Sequence, residues 1–254
     1  MSPARSTPAR SFRLPALLLL SAWLAGCAAL RPPPPPSEEA LAALAALRTF
    51  NGQVRTFKGT GAVEMVRDGA RQTGRMAWVG KGPAHLRASL LDPVGRPRVT
   101  LVADGEIVAA RSEADGDDFR TRTADPGLNR VLGIPVRARE IIRLLAGQAP
   151  MAHPHSMVLE NDRLRLLDRW NRTIQIAEMD PEHRRPRALE HFSGGERRYR
   201  AEFGPFSEGP DGILEPSRIT ILGPADAARF DLRIDRFWTN HSLPAGAFRL
   251  ERSE

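Results

Sequence analysis

The feature that most constrains this chain is a change of hydrophobic period near residue 52. Before it, Leu41, Leu44 and Leu47 recur at helical spacing with alanines between them. Ser37 reads as the N-cap, with Glu38 and Glu39 in the first turn and Gly52 at the end, so a helix of roughly 13 residues is expected. After it, apolar and small residues alternate strictly: Phe57, Gly59, Gly61, Val63 and Met65 fall two apart. Asp68-Gly69 is a hairpin signal, and Gly74, Met76 and Trp78 alternate on the return. Strand patterns continue over 86–91, with Leu86, Ser89 and Leu91, then 98–102 and 107–110, after the turn signal Asp104-Gly105. They resume over 156–159, 164–167, 173–177, 188–192, 198–203, 217–222 and 230–237. Two further helical patches interrupt the series, one opened by Asp125-Pro126 and ending near Gly133. The other follows Pro135 and carries Ile141, Ile142, Leu144 and Leu145 before Gly147. The expectation is an antiparallel meander of about a dozen strands with three helices.

With 254 residues, no fixed repeat and no second linker, one domain over 37–254 fits, large enough to bury roughly 70% of its unfolded surface. Ahead of it, Arg5, Arg10 and Arg13 form a basic region, followed by an apolar core over 14–24 that is too short to span a bilayer. The pattern reads as a signal peptide over 1–26. It ends Leu24-Ala25-Gly26-Cys27, and Cys27 is the single cysteine of the chain. That count excludes an internal disulfide framework and a cysteine-rich zinc site. Residues 32–36 are an unbroken proline run, expected as a stiff polyproline II spacer after Cys27. Removal of the leader takes away three arginines, which reduces the formal charge from +7 to +4. Modest charge and an exported chain both argue against nucleic acid as a partner.

Motifs for enzyme chemistry are sparse. There is no G-x-S-x-G elbow and no H-E-x-x-H, and Gly59-Thr60-Gly61 fits a strand better than a dinucleotide loop. His153-Pro154-His155 lacks a carboxylate at ligand spacing and reads as a surface loop. Glu190 and His191 are strand neighbours and point to opposite faces. Arg198 and Arg200 are expected on one strand face, and with Arg184, Arg185 and Arg187 they read as a solvated surface, the alternative being contact with acidic headgroups or a protein partner. Asp92-Pro93-Val94-Gly95 has the residues of a type I turn, with Val94 at its tip. Val94 is either exposed there or folded back on the core, and the turn pattern leaves both open.

Leu24-Ala25-Gly26-Cys27 resembles the lipobox of bacterial lipoproteins, which implies acylation of Cys27. Ala28 in the next position implies residence in the outer membrane by the sorting rules of Gram-negative bacteria. Arg75-Met76-Ala77-Trp78, the strand over 86–91, Asp92-Pro93-Val94-Gly95 and Leu101 then follow in the order seen in the outer-membrane lipoprotein receptor family LolB. Val131-Leu132-Gly133-Ile134-Pro135, the helix ending at Gly147, and the strand pair before Trp238 resemble the same family. The resemblance covers roughly 40–240. It implies a mainly β fold: an open, strongly curved antiparallel half-barrel of about 11–12 strands with helices covering the concave face. It also implies an acyl-binding cavity, for which Met76, Trp78, Leu132, Ile134, Ile142 and Leu145 are the candidates. Pro93, Val94 and Gly95 would form a membrane-engaging turn, with valine where the family has a leucine. The implied partners are acylated lipoproteins, a LolA-like periplasmic carrier and outer-membrane lipid. No cofactor, metal or catalytic residue is expected. Two other functions share these features: a lipid- or glycolipid-binding or envelope-sensing lipoprotein of the same fold, and a structural envelope lipoprotein.

Overall fold

A computed structural model describes residues 32–113, 118–122, 132–181, 185–244 and 246–249. Helix α1 (Glu38–Gly52) opens the domain. The Ser37 side chain accepts the Ala40 N–H at 3.2 Å, and Ala40, Ala43, Leu44, Leu47 and Phe50 are buried. The small alanines let the helix lie close to its sheet.

Six strands follow as a meander: β1 (Thr56–Arg67), β2 (Ala70–Lys81), β3 (His85–Leu91), β4 (Pro97–Asp104), β5 (Ile107–Ser112) and β6 (Asp118–Arg122). Helix α2 (Ala138–Leu145) lies in the crossover. A second meander is built from β7 (Ser156–Glu160), β8 (Arg163–Leu167), β9 (Thr173–Met179), β10 (Pro186–Ser193) and β11 (Glu196–Phe203). A small separate hairpin, β12 (Phe206–Glu208) and β13 (Leu214–Pro216), precedes β14 (Arg218–Leu222) and β15 (Ala228–Thr239). The main sheet has thirteen strands, ordered β6-β5-β4-β3-β2-β1-β15-β14-β11-β10-β9-β8-β7. It is antiparallel, curved and not closed, an open half-barrel.

Twelve strands were expected. The additional ones are β6, a short charged edge strand, and β12 and β13, of three residues each. β12 and β13 are too short for a period to register, and β6, as long as β7, β8 and β14, carries charge in place of an apolar alternation. The helical patch at Asp125 lies outside the described residues apart from its last residue, Leu132. Among the described residues, no helix is long and apolar enough to cross a membrane.

Register explains the glycines of the first two strands. Gly59 faces Trp78 and Gly80 faces Phe57 across the ladder. A Cβ at Gly59 would overlap the Trp78 ring, and one at Gly80 would overlap the Phe57 ring. The bare backbone therefore makes room for aromatic rings on the inner face. Trp78 and Phe57 then pack against Phe237 at 6.3 and 6.4 Å.

Arg198 and Arg200 do not share a face as expected. A register shift between His191 and Phe192 swings Arg198 toward α2. It donates to Glu140 at 3.3 Å and to the Pro135 carbonyl at 2.6 Å. Arg200 lies in a separate cluster with Glu178, Glu190 and Glu202 at 2.7–3.0 Å. Glu190 and His191 are on opposite faces, Glu190 with Arg200 and His191 in the core.

Candidate functional site

On the inner surface of β1–β4 the side chains leave a space unfilled. Inner-face pairs are Met76 with Leu90, Trp78 with Ala88, Ala88 with Leu101, and Leu90 with Val99. Ala88 is small in the middle of this array, which leaves a hollow between leucines. Met65 of β1, Leu86 of β3 and Phe230 of β15 complete the floor. Leu132, Ile141 and Leu145 cover it from the crossover. The hollow is small and open at one side, with about 90 Å³ of it reached by a water-sized sphere. All eleven lining residues are apolar, so a polar headgroup would find no hydrogen-bonding side chain inside, whereas an alkyl chain needs none.

The lid is fixed at several points. The Glu140 carboxylate accepts the Arg137 N–H at 2.7 Å at the start of α2. Gly147, at φ 71°, ends the helix in the left-handed region, and Gln148 N–H returns to the Arg143 carbonyl. The Trp78 indole N–H donates to the Leu145 carbonyl at 3.1 Å, which ties α2 to β2. The Gln148 amide donates to the Asn51 and Val54 carbonyls, both at 2.7 Å. Asn51 in turn exchanges hydrogen bonds with the Ala149 backbone. Further along, Gln175 and His191 both donate to the Pro150 carbonyl, at 2.8 and 3.1 Å. Burial holds the His191 imidazolium down to a pKa of about 4, so the ring is neutral and stacks on Tyr199 at 4.7 Å.

Met76, Leu132 and Leu145 line the cavity. Trp78, Ile134 and Ile142 lie beside it in the packed core. Trp78 is turned into the space over Gly59 and held by its bond to Leu145. On α2, Ile141 and Leu145 are four apart and share a stripe, while Ile142 is a third of a turn round and fully buried. Met65, Leu86, Ala88, Leu90, Val99, Leu101, Ile141 and Phe230 are the lining residues that sequence reasoning did not single out. The third strand was legible in part. Leu86 faces in with Ala88 and Leu90, whereas Ser89 faces out and meets Thr100 at 3.1 Å.

The mouth of the cavity opens toward one rim. Met65, Leu90 and Val99 also border an open groove along Gln72, Gly74, Arg75, Asp92 and Pro93. Beside it is the turn after Leu91. Asp92 Oδ1 accepts the N–H groups of Val94 and Arg96 at 2.9 and 2.8 Å, and the Gly95 N–H closes on the Asp92 carbonyl. Gly95 sits at φ 85°, a conformation that glycine adopts at little cost. Val94 is thereby held outward, 75% exposed. Residues 27–31 lie outside the described residues. Within the proline run, the Pro34 carbonyl accepts a hydrogen bond from the Ser156 hydroxyl at the start of β7.

No protein-family model matches the chain, and no curated protein sequence does. Solved structures share its fold. A LolA superfamily protein from Nitrosomonas europaea is 15% identical with a TM-score of 0.55, covering 82% of this chain and 97% of its own. An outer-membrane lipoprotein-sorting protein domain from Vibrio parahaemolyticus is 10% identical with a TM-score of 0.57, covering 82% and 97%. A DUF1329 family protein from Desulfovibrio piger is 8% identical with a TM-score of 0.59, covering 85% and 98%. The chain therefore has the LolA/LolB type of fold.

Proposed function

We propose that this chain is a lipoprotein of the bacterial envelope, anchored in the outer membrane through Cys27, that binds acyl chains and receives acylated lipoproteins from a LolA-like periplasmic carrier. The observation that carries the reading is the wholly apolar cavity between α2 and β1–β4, open toward the rim where Val94 stands exposed. An acyl chain of about 16 carbons gains roughly 0.8 kcal/mol for each methylene it buries. Handover from carrier to receptor to bilayer then needs only a gradient of affinity. No bond is made or broken, so no catalytic group, metal or cofactor enters the proposal. The turn at Pro93, Val94 and Gly95 would touch the membrane as cargo leaves. Valine presents less apolar area than leucine and contributes less insertion energy at about 25 cal/mol per Å². Two of the fold neighbours belong to the LolA superfamily or to lipoprotein sorting by description, which supports the same reading.

The test is a transfer assay. The affinity-tagged full chain is reconstituted in liposomes and mixed with carrier loaded with a triacylated lipoprotein. The expected result is cargo leaving the carrier and co-purifying with this chain or its liposomes. Cargo that stays on a carrier competent toward another receptor would overturn the receptor reading. Binding of a free lipid without receipt of cargo would assign the chain to lipid binding.

A further inference from the structure

The hairpin that holds Val94 is built twice. Leu91 is followed by Asp92-Pro93-Val94-Gly95-Arg96, and Leu167 by Asp168-Arg169-Trp170-Asn171-Arg172. In the second loop Asp168 Oδ1 accepts the N–H groups of Trp170 and Arg172, both at 2.9 Å, as Asp92 Oδ1 does for Val94 and Arg96. Asn171 N–H closes on the Asp168 carbonyl at 3.1 Å, as Gly95 N–H does on Asp92 at 3.0 Å. Asn171 is at φ 62° where Gly95 is at φ 85°. Even the register shift recurs, between Leu90 and Leu91 in one hairpin and Leu166 and Leu167 in the other. The same geometry projects the third residue of each loop. Trp170 is 46% exposed, one of only four large apolar side chains in that class among the described residues.

Both loops stand on one rim of the sheet. Following the antiparallel ladder from β3 to β8, the turns after Arg67, Leu91, Leu167, Ser193 and Leu222 all fall at the same end of the strands. Ser156, which holds Pro34, pairs with Leu167 at that end as well. Six residues separate Cys27 from Pro34, and the seven steps between them reach at most about 25 Å. A bilayer holding Cys27 therefore lies within that distance of Pro34, beside the Trp170 hairpin.

The chemistry of the second loop suits the zone between headgroups and acyl chains. Trp170 offers an amphipathic ring of the kind enriched at that depth. Arg169 lies over the ring at 3.9 Å from its centroid and Arg172 at 4.7 Å. Each loop carries one aspartate and two arginines within seven residues, counting Arg98 with the first, and so has net positive charge toward lipid phosphates.

We propose that Trp170 is a second membrane contact, which together with Val94 seats this rim on an anionic phospholipid surface. The inference rests on the proposed membrane anchorage and deepens it: a single tip can pivot, whereas two tips and a tether fix the direction in which the cavity mouth faces.

Depth-dependent fluorescence quenching separates the two contacts. The full chain is reconstituted in phosphatidylethanolamine–phosphatidylglycerol vesicles with brominated acyl chains, and Trp170→Phe identifies the signal of Trp170. Val94→Cys carrying an environment-sensitive fluorophore reports the first tip in the same vesicles. The expected result is quenching of Trp170 by shallow bromines, lost in Trp170→Phe, with quenching of the fluorophore at position 94. Quenching at 94 without quenching of Trp170 overturns the second contact and leaves the proposed turn standing. Quenching at neither site overturns both. Emission of Trp170 that ignores bromolipid but changes on addition of the carrier assigns this loop to a protein contact and also overturns the proposal. With cargo bound to the reconstituted chain, Trp170→Ser is expected to slow its release into acceptor vesicles about tenfold, the scale of one interfacial aromatic contact, and an unchanged rate would overturn the proposal.

Discussion

The two wings of the sheet have the same strand period but opposite interiors. On β7–β11 the inner residues Leu164, Leu166, Ala177, Leu189, Tyr199 and Ala201 are all fully buried. On β3–β4 the corresponding residues Ala88, Leu90, Val99 and Leu101 are only partly buried and face the cavity. The difference comes from what descends on each wing. Helix α1 packs on β7 and β8 with a face of alanines and leucines that comes close enough to exclude space. On the other wing α2 contributes Ile141 and Leu145 at the edge of the hollow, and Ala88 gives nothing to fill it. The cavity here is a packing partner withheld, on strands that could have been core.

The sharpest way to break this comparison is to truncate one leucine in each wing. Leu166→Ala is expected to cost about 2–5 kcal/mol, as in a close-packed core. Leu101→Ala should cost under about 1.5 kcal/mol, because Leu101 already borders empty space. Urea unfolding of the two variants measures the gap, and equal losses would remove the distinction.

Acid sharpens the comparison from the filled wing. His191 is held neutral in the fold, with a pKa of about 4 against an ordinary value of 6.5. Between those values the unfolded chain binds a proton that the folded chain does not. Stability is therefore complete above pH 6.5 and falls as pH drops toward 4, by about 3 kcal/mol in total. His191→Gln keeps a donor for the Pro150 carbonyl and does not titrate. The difference between wild type and this variant, followed by urea midpoint from pH 7.5 to 4.5, should carry that slope. A difference independent of pH would contradict it.

Enlarging an alanine gives the converse test. Ala201→Leu forces a side chain into full packing and is expected to cost about 1–3 kcal/mol. Ala88→Leu grows into the cavity and should cost under about 1 kcal/mol while reducing acyl binding. The smallest effect belongs to the outer surface of the filled wing. Arg200 donates hydrogen bonds to Glu178, Glu202 and Glu190, which favour its charged form, but the cluster is partly in water. Arg200→Met is expected to lose about 1 kcal/mol or less in thermal unfolding.

Much of the architecture could be read from the residues. Ser37, Leu44 and Leu47 located α1, although Leu41, expected on the same face, is exposed while Ala40, Ala43 and Phe50 complete the buried side; alternation located twelve of the strands. Asp68-Gly69 and Asp92 to Gly95 marked their turns. The short edge strand β6 carries two arginines and an aspartate in five residues, a composition that hides a strand as effectively as it protects an edge. The candidate site was less legible because its walls are set by register across strands. Met65 and Phe230 meet only because β1 pairs with β15, more than 160 positions later in sequence. Ala88 is unremarkable on its own strand, and only its placement between Trp78 and Leu101 makes a hollow. The second rim loop was not legible in the sequence, because Asp168 to Arg172 shares only its first and last residue types with Asp92 to Arg96. Its meaning needed the hydrogen bonds that make the two turns the same.

The central claim is that the unfilled wing holds an acyl chain. The direct measurement is photocrosslinking of the purified full chain with a palmitoylated lipopeptide whose acyl terminus carries a diazirine, followed by peptide mapping. The account predicts crosslinks on β1–β4 and α2, at residues such as Met65, Leu90, Leu101 and Ile141, diminished in Ala88→Leu. Crosslinks confined to β7–β11, or unchanged in Ala88→Leu, would contradict it.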